Sequence, residues 1–338
     1  MTVSIKEKAL QLGYSGCGII PATFFEEYQN ALDERVQSFP ESREFYESQQ
    51  ARCVPPADGK SIIVCVRGYN HYTIPCKLEK HIGKYYLFHG GISYSAAFRA
   101  KAEFEAYLQV SGMRIVKSQP PPMRWAAAKA GLGKFGRNNF IYTQAHGSYT
   151  HIDTWIVDAV LDYDSPPGDN LMPECHANCK KCIDACPTKA LSGEFSMDRG
   201  KCITHLMYEK KHLSDEMREQ MGQWLYGCDV CQDVCPINKG KLTNSEDFSL
   251  LSQYEEYLAP EKILTMDDDT YTNVIYPRFW FAGKDAVVTW RRNALRAMIN
   301  SGDVKYHRLI QECRHHPEAS LREMAKWGCV KLGLKEGN

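Results

Sequence analysis

The sequence of 338 residues has no excess of either charge, because 41 basic residues balance 41 acidic ones. A balanced chain has no global field that draws it to nucleic acid or to a membrane surface, so a polyanionic partner must be bound by a local patch. No apolar run approaches the roughly 18 residues of a membrane-spanning helix, and the N-terminus lacks the order of charged and apolar residues typical of a signal peptide. We therefore expect a cytoplasmic protein without a membrane segment.

Disorder is disfavoured as well, since 43% of the residues are apolar and 11% are aromatic, a composition typical of folded globular proteins. What the chain does have is cysteine, with fourteen residues of this type. Reducing compartments keep thiols free, so this number favours metal ligation over a disulfide framework.

Patterns along the chain predict an α+β multidomain fold. Apolar strand candidates at 61–66 and 155–161 alternate with helical patterns, and a stretch rich in Pro, Gly and Asp at 162–174 indicates a domain boundary. The predicted domains are an α/β domain at 1–165, a cysteine-rich domain at 166–245 and a tail of repeat-like helices at 246–338. One helix is predicted within FRAKAEFEAYLQV, with a packing face made of Phe98, Lys101, Phe104, Tyr107 and Leu108.

Two cysteine runs repeat one pattern. Residues 179–187 have the spacing C-x2-C-x3-C followed by proline, and residues 228–236 repeat it. In ferredoxins with two [4Fe–4S] clusters, the last cysteine of each run binds the cluster of the other run. This crossing predicts two ligand sets, Cys175, Cys179, Cys182 and Cys235 for one cluster, and Cys186, Cys202, Cys228 and Cys231 for the other.

Cys175 is the irregular ligand, because three residues separate it from Cys179 where the ferredoxin pattern has two. The alternative interpretation is two zinc sites, since C-x2-C pairs also bind tetrahedral zinc. Two runs that both end in proline favour the clusters. The remaining six cysteines are interpreted as buried apolar thiols without a role; they are Cys17, Cys53, Cys65, Cys76, Cys313 and Cys329.

Several segments, in this order, resemble the epoxyqueuosine reductases: AGLGKFGRNNFIYTQAHGSYTHIDTWIVDAVLD, CKKCIDACPTKAL, KCITHLMYEKK, YGCDVCQDVCPIN and WRRNALRAMIN. The resemblance extends from about residue 50 to residue 300. It implies a nitroreductase-like corrinoid domain, a bacterial double [4Fe–4S] ferredoxin domain and a HEAT-like helical tail. In that family, which is related to reductive dehalogenases, the clusters reduce a cobalamin that acts on an epoxide in the tRNA anticodon, while a protein acid supplies a proton.

The resemblance also implies positions near the corrin. The glycine-rich turn at 131–136 would let backbone approach the ring, with an ordinary tight turn as the alternative. The implied cobalamin contacts are Arg52, Gly133, Asn138, Asn139, Ser148 and Asp229. A solvated side chain is the alternative interpretation of Arg52.

Two positions depart from the family pattern. Lys117 stands where the resemblance places the catalytic aspartate, in a register supported by Pro120 and Arg124. A lysine can donate a proton, but its charge would favour an anionic substrate; alternatively, Lys117 is a surface residue. The resemblance also places a histidine after the tyrosine at Tyr94, where this chain has Ser95. Tyrosines near this region of the sequence that could act beside Lys117 are Tyr69, Tyr72 and Tyr94.

Three hypotheses follow. The first is an epoxyqueuosine reductase that tolerates lysine at the acid position. The second is a paralogous corrinoid reductase for a small anionic or halogenated substrate, and the third is an electron-transfer or corrinoid-reactivating protein without substrate chemistry. An external low-potential electron donor is required in each, and the two departures weaken the prediction of tRNA as partner. Three tail arginines are predicted to form a basic face that either contacts phosphate or is solvated: Arg291, Arg292 and Arg296.

Overall fold

The computed structural model describes residues 2–88, 92, 95–164, 175–193, 195–208, 212–248 and 251–335. Tyr94 and most of the predicted boundary at 162–174 lie outside these residues. The strands are β1 (Gly16–Pro21), β2 (Ser61–Gly68), β3 (Lys134–Phe135), β4 (Ile141–Tyr142), β5 (Thr150–Val157), β6 (Leu191–Gly193) and β7 (Ser196–Met197).

Helices supply most of the remaining regular structure. The α-helices are α1 (Thr2–Gln11), α2 (Glu26–Ser38), α3 (Arg43–Gln50), α4 (Lys84–Leu87), α5 (Ala96–Val110), α6 (Met123–Lys129), α7 (Lys181–Ala185), α8 (Ile203–Leu206), α9 (Asp215–Gln220), α10 (Val230–Asp233), α11 (Tyr254–Tyr257), α12 (Pro260–Thr265), α13 (Asp268–Thr270), α14 (Val287–Ser301), α15 (His307–Glu312) and α16 (Ala319–Leu332). None of the described helices is long and apolar enough to cross a membrane.

The chain forms two compact units, and each is built from three separate stretches of the sequence. The division into three domains that the sequence suggested stays a prediction. Unit 1 contains Met1–Tyr72, His89–Gly200 and Val230–Glu246, and unit 2 contains Thr73–Phe88, Lys201–Asp229 and Asp247–Asn338.

Unit 1 is built on a three-stranded antiparallel sheet in the order β1-β2-β5. Cross-strand partners run from Gly16 opposite Val66 to Pro21 opposite Ser61. The predicted strand at 61–66 is confirmed, whereas the one predicted over 155–161 is shifted, because β5 ends at Val157. An antiparallel sheet with flanking helices gives the α+β class that the sequence predicts.

The side chains of β2 point alternately to the two faces of this sheet, and each face is covered by a buried core. Ile62, Val64 and Val66 join a core with residues of α2, α3 and α6, while Ile63 and Cys65 join a second core with residues of α1 and α5. Successive strand residues point to opposite faces, so one apolar run can feed two cores.

The predicted helix within FRAKAEFEAYLQV is confirmed as α5, but its packing face is only partly correct. Phe104 and Leu108 are fully buried. Phe98 is 39% exposed, and the Lys101 ammonium lies 3.4 Å from an Asp153 carboxylate oxygen. The prediction of Phe98 as a core residue is therefore wrong, because its position in the first turn of α5 lies beyond the edge of the core.

Unit 2 has a helical core in which α14 is buried on nearly all sides. This geometry overturns the predicted basic face. Arg296 is 1% exposed and donates to the carbonyl oxygens of Gly222 and Trp224. Arg292 is 7% exposed and donates to the Met207 carbonyl at 3.3 Å, and Arg291 donates to the Met266 carbonyl at 3.0 Å through Nε. These arginines bind backbone carbonyls because buried donors need hydrogen-bond partners.

Candidate functional site

A short hairpin in unit 1 carries several of the predicted site residues. Its strands β3 and β4 pair Lys134 with Tyr142 and Phe135 with Ile141. The turn between them is closed by the backbone N–H of Asn139, which donates to the Gly136 carbonyl at 2.8 Å. Asn139 has φ of 64°, a left-handed conformation that asparagine tolerates better than most residues. The sequence NN at the end of the turn thus fixes the shape of the hairpin.

Arg137, at the tip of this hairpin, binds the loop that leads into the first cysteine run. Its guanidinium donates to the carbonyl oxygens of His176 at 2.9 Å, Ala177 at 2.7 Å and Cys179 at 2.6 Å. The side chain is 5% exposed. One planar guanidinium therefore binds three backbone carbonyls of the loop around the predicted ligand Cys179.

Charge interactions connect the thiols of the first predicted ligand set through Cys175 and Cys182. The pKa of Cys182 is raised to about 11 by burial and then by the neighbouring thiols of Cys175 and Cys235. Burial also raises the pKa of Cys175, with Cys235 and Cys179 adding to the shift, while a hydrogen bond from the Arg137 backbone opposes it. Like charges close together disfavour ionisation, so these shifts show that the Cys175 thiol lies near those of Cys179, Cys182 and Cys235. Ligation of a cluster by Cys175 stays a prediction.

Tyr142 is a site residue that sequence reasoning missed. Burial raises the pKa of its hydroxyl, and a hydrogen bond to Cys235 is the next cause. The same hydroxyl accepts a hydrogen bond from the Asn138 amide at 2.9 Å. Tyr142 and Cys235 are 93 residues apart in the sequence, so no local motif could reveal the contact.

The residues of the second predicted ligand set are divided between the two compact units along the sequence. Cys186 and Cys231 belong to unit 1, and Cys202 and Cys228 belong to unit 2. This grouping stays a prediction. Within unit 1, the Cys186 sulfur lies 3.8 Å from the Thr188 hydroxyl.

Two of the predicted cobalamin contacts are held by residues around the first ligand set. The Asn138 amide, besides its bond to Tyr142, donates to the Cys231 carbonyl at 3.1 Å. The Ser148 hydroxyl donates to the Gln232 side chain at 2.9 Å and accepts from the Asn238 amide at 2.8 Å. Both side chains therefore connect the hairpin and the start of β5 to the segment that carries Cys231 and Cys235.

Two further predicted contacts also have protein partners. A methyl group at Gly133 would lie 2.6 Å from the Ile141 side chain and 2.8 Å from the Tyr142 carbonyl, so this glycine allows the hairpin strands to pack. In unit 2, Asp229 is 2% exposed and accepts from the Lys84 backbone amide at 2.8 Å, with the Lys84 ammonium at 3.3 Å. This buried ion pair fixes the loop that precedes Cys231.

Among the predicted contacts, Asn139 has a side chain that is only partly hydrogen-bonded. Its side-chain oxygen Oδ1 accepts from the Arg35 guanidinium at 2.9 Å. Its side-chain nitrogen Nδ2 is buried and has no hydrogen-bond partner among the described residues. Buried donors without a partner are rare and costly, so this group fits an acceptor on a bound cofactor, such as a corrin amide.

The segment that carries Lys117 is anchored on both sides. The Val116 amide donates to the Ile156 carbonyl at 2.8 Å. Beyond Lys117, the Arg52 guanidinium donates to the carbonyl oxygens of Pro120 at 2.9 Å and Pro121 at 3.0 Å. The prolines have no N–H groups of their own, so Arg52 provides the side-chain contact that fixes this stretch.

Lys117 itself is exposed. It lines an open cavity of about 780 Å³ formed by described residues of unit 1, namely Asp58, Gln109, Gly112, Met113, Arg114, Ile115, Val116 and Lys117. The six predicted cobalamin contacts are not among these lining residues. Of the nearby tyrosines, Tyr69 is buried against the rings of Tyr149 and His151.

The clustered cysteines on an α+β fold define the class of an iron–sulfur oxidoreductase. Residues 174–238 match the family of 4Fe-4S double cluster binding domains. The epoxyqueuosine reductase of Cellulophaga algicola is 33% identical over 254 residues, which cover 72% of this chain and 80% of that protein. That of Bacillus anthracis is 29% identical and covers 95% of this chain and 86% of that protein. The chain belongs to the epoxyqueuosine reductase family.

Solved structures of this family share the fold. Epoxyqueuosine reductase from Bacillus subtilis, captured with its catalytic loop swung out of the active site, has a TM-score of 0.79 at 25% identity and covers 98% of this chain and 90% of that one. An epoxyqueuosine reductase with a tRNA-Tyr epoxyqueuosine-modified stem loop has a TM-score of 0.77 with the same coverage. The protein is thus a reductase of this family with a binding domain for two [4Fe–4S] clusters.

Proposed function

We propose that this protein reduces the epoxide of epoxyqueuosine in tRNA, with Lys117 in place of the family's carboxylic acid. The observation that carries the proposal is the retention of the epoxyqueuosine reductase fold over 98% of the chain. A solved relative was obtained with an epoxyqueuosine-modified tRNA stem loop, which supports tRNA as the substrate class. Cytoplasmic location and an external low-potential electron donor are parts of the same proposal.

The residues proposed to hold the first cluster are Cys175, Cys179, Cys182 and Cys235. Thiolates are the ligands that [4Fe–4S] clusters take. Arg137 keeps the loop around Cys179 in place through three carbonyl contacts. Tyr142 donates its hydroxyl hydrogen toward the Cys235 sulfur, so it stabilises negative charge on that ligand. The second cluster is proposed on Cys186, Cys202, Cys228 and Cys231.

Asn139 is the residue proposed to bind the cobalamin most directly, through its free amide nitrogen. When bound, cobalamin supplies a redox-active cobalt for the attack on the epoxide. Asn138, Ser148 and Gly133 are proposed to shape the region around Asn139 through the loops that they hold, and Asp229 is proposed as a further contact. Arg52 is proposed to act on the Lys117 segment.

Lys117 is proposed as the proton donor to the oxygen released when the epoxide opens. Its ammonium group carries protons that an alkoxide would accept, and its exposure allows water to restore them. The anchors at Val116 and at Pro120 and Pro121 limit the movement of the segment between them. A donor must be positioned as well as acidic, and the two anchors meet the first requirement.

The test is reduction of epoxyqueuosine in tRNA from a strain without its own reductase. Anaerobically reconstituted protein with cobalamin and a chemical reductant should convert the nucleoside to queuosine, which lacks one oxygen atom, as measured by mass spectrometry. Lys117→Gln should lower the rate by about 100-fold or more, since general acids contribute 10²–10⁴-fold. Lys60→Gln, an exposed lysine outside the site, is the matched control.

Three outcomes would change the proposal. A wild-type protein that binds cobalamin but leaves the tRNA unchanged would reject tRNA epoxyqueuosine as substrate. Activity that appears only in Lys117→Asp would show that lysine has redirected the site to another substrate. Equal rates for Lys117→Gln and the Lys60→Gln control would place the proton donor elsewhere.

Asn139→Asp tests the cobalamin contact. The substitution removes the amide N–H groups but keeps an oxygen for Arg35 and a residue type that tolerates the left-handed backbone. We expect cobalamin affinity, measured by the corrinoid spectrum after desalting, to fall by about 5–30-fold, as for one lost hydrogen bond to a buried group. Unchanged affinity would mean that the amide does not face the cofactor.

A further inference from the structure

Two cysteines outside the ligand sets face each other across the sheet of unit 1. Cys17 on β1 is the direct cross-strand partner of Cys65 on β2. Cys65 is fully buried, and Cys17 is partly exposed at the edge of the same core. Both thiols are free in the structure.

The hydrogen-bond pattern shows which kind of pair this is. Ala22 donates to the Lys60 carbonyl at 3.0 Å, which makes residues 22 and 60 a hydrogen-bonded pair. Hydrogen-bonded and non-hydrogen-bonded pairs alternate along antiparallel strands. Five residues before Ala22, the pair of Cys17 and Cys65 is therefore of the non-hydrogen-bonded kind.

Ile19 confirms the alternation independently. Its N–H donates to the Asp164 carboxylate at 2.7 Å, and its carbonyl accepts from the Asp164 amide at 2.7 Å. The backbone polar groups of Ile19 thus point away from β2, and those of Cys17, two residues earlier, have the same orientation. In a non-hydrogen-bonded pair the Cα atoms are about 4.5 Å apart and the side chains are close, which lies within the range for a disulfide.

The two sulfur atoms already interact. Burial raises the pKa of the Cys65 thiol well above its usual value, and a hydrogen bond with Cys17 is the next cause. A thiol that ionises so reluctantly is a slow nucleophile on its own. Fixed proximity offsets this, because a neighbouring group in a folded chain reacts as if at very high concentration.

We propose that Cys17 and Cys65 are an oxidation site that forms a reversible cross-strand disulfide with a low-molecular-weight disulfide as oxidant. The partly exposed Cys17 sulfur attacks the small disulfide, forms a mixed disulfide and releases one small thiol. The Cys65 sulfur then attacks the Cys17 sulfur and releases the second small thiol, which takes the Cys65 proton. Two protein thiols are oxidised to one disulfide, and one small disulfide is reduced to two thiols.

The proposed bond has a definite chemical character. A Cα separation of about 4.5 Å lies at the short end of the range for disulfides, and geometry away from the optimum makes the bond easier to reduce. We therefore expect reductants to reverse it readily. It would link β1 to the central strand β2 without involving the cluster ligands.

The test treats the reconstituted protein with excess oxidised glutathione under anaerobic conditions. After acid quenching, unfolding and blocking of free thiols, trypsin should release residues 9–35 linked to residues 61–67, because these peptides contain Cys17 and Cys65. Mass spectrometry should show the linked pair in most chains, two hydrogens lighter than the separate peptides, and dithiothreitol should remove it. Iron content should stay constant, which excludes released ligand cysteines as the source.

Two variants keep the test decisive. Cys65→Ser should stop the reaction at the mixed disulfide, so glutathione should remain on Cys17 and no linked peptide should form. Cys17→Ser should leave Cys65 unmodified and available to alkylation after unfolding. Glutathione that accumulates on Cys17 of the wild-type chain without the linked peptide would overturn the proposal, as would full alkylation of both cysteines.

Discussion

The thiols of two buried cysteines, one in each compact unit, have similarly raised pKa values for partly different reasons. The pKa of Cys182 in unit 1 and of Cys313 in unit 2 is raised to about 11, in both cases first by burial. The second cause differs. Cys182 is surrounded by the thiols of Cys175 and Cys235, whereas the other neighbour of Cys313 is the carboxylate of Glu312. The neighbouring groups, and not the pKa values, therefore separate the proposed cluster ligand Cys182 from the core thiol Cys313.

Two buried arginines repeat this contrast. Arg137 in unit 1 and Arg296 in unit 2 are 5% and 1% exposed, and both bind backbone carbonyl groups. The carbonyls bound by Arg137 belong to the loop around the predicted ligand Cys179, so its positive charge lies beside the proposed site of the first cluster. The pKa of Arg296 is lowered by burial and by Arg292, and no ligand thiol is among these causes. Arg296 therefore serves the fold, and Arg137 serves the fold and the site.

The largest expected effect is that of Cys182→Ser. Serine cannot replace a thiolate ligand well, so the first cluster should be lost and the iron content should fall from about eight to about four per chain. Iron analysis and the iron–sulfur absorbance of anaerobically reconstituted protein measure this. Cys313→Ser is the matched control and should keep its iron. An equal loss in both variants would show that burial alone explains Cys182.

The sequence predicted the first ligand set because the spacing of three of its cysteines is local. The crossing rule then added Cys235, whose thiol lies near those of Cys175 and Cys182 in the structure, and the grouping as a ligand set stays a prediction. Arg137 and Tyr142 could not be predicted in the same way. Their partners lie tens of residues away, and only the folding of the hairpin onto the cysteine loops brings them into contact.

The prediction of a basic face from the arginines of α14 failed for a different reason. Their helical spacing was correct, but periodicity identifies a polar face only when one side of a helix is solvated. Here eleven residues of α14 are buried, so its polar side chains bind carbonyls inside unit 2. Likewise, the sequence could not distinguish the adjacent Asn138 and Asn139, because only the structure shows that the Asn138 side-chain amide binds Tyr142 while the Asn139 side-chain amide has no partner among the described residues.

Arg296→Met should have the second largest effect, on stability. Methionine fills part of the volume but removes the donor of the buried Trp224 carbonyl, whereas the Gly222 carbonyl keeps a hydrogen bond from the Asn300 side-chain amide at 2.9 Å. An unsatisfied buried group costs about 1–3 kcal/mol, so we expect the free energy of unfolding to fall by about 1–3 kcal/mol. Chemical denaturation measures the loss, and iron per folded chain should not change. A variant that loses iron before it loses stability would contradict the division of roles between the two arginines.

Arg137→Met should have a smaller effect on stability and a selective one on iron. The carbonyls that it releases belong to residues exposed enough for water to replace the donor, so we expect a loss of about 1–2 kcal/mol. The loop around Cys179 should nevertheless become less ordered, which should lower occupancy of the first cluster and leave the second. Arg137→Lys is the control and should restore part of the iron, since it keeps the charge but not the three contacts. Full iron in Arg137→Met would mean that the loop holds its shape without the guanidinium.

The smallest expected effect, and the one most specific to unit 1, is that of Tyr142→Phe on the potential of the first cluster. The ring keeps its packing, but the hydrogen bond to Cys235 is lost. Hydrogen bonds to ligand sulfur stabilise the more negative, reduced cluster, so its potential should become more negative. If the bond favours the reduced form by about 1 kcal/mol, the shift is about 40 mV for one electron. Redox titration followed by electron paramagnetic resonance measures it, with Tyr306→Phe in unit 2 as the matched control. An unchanged potential would assign Tyr142 a purely structural role and would leave Arg137 as the residue of the hairpin that adjusts the charge of the site.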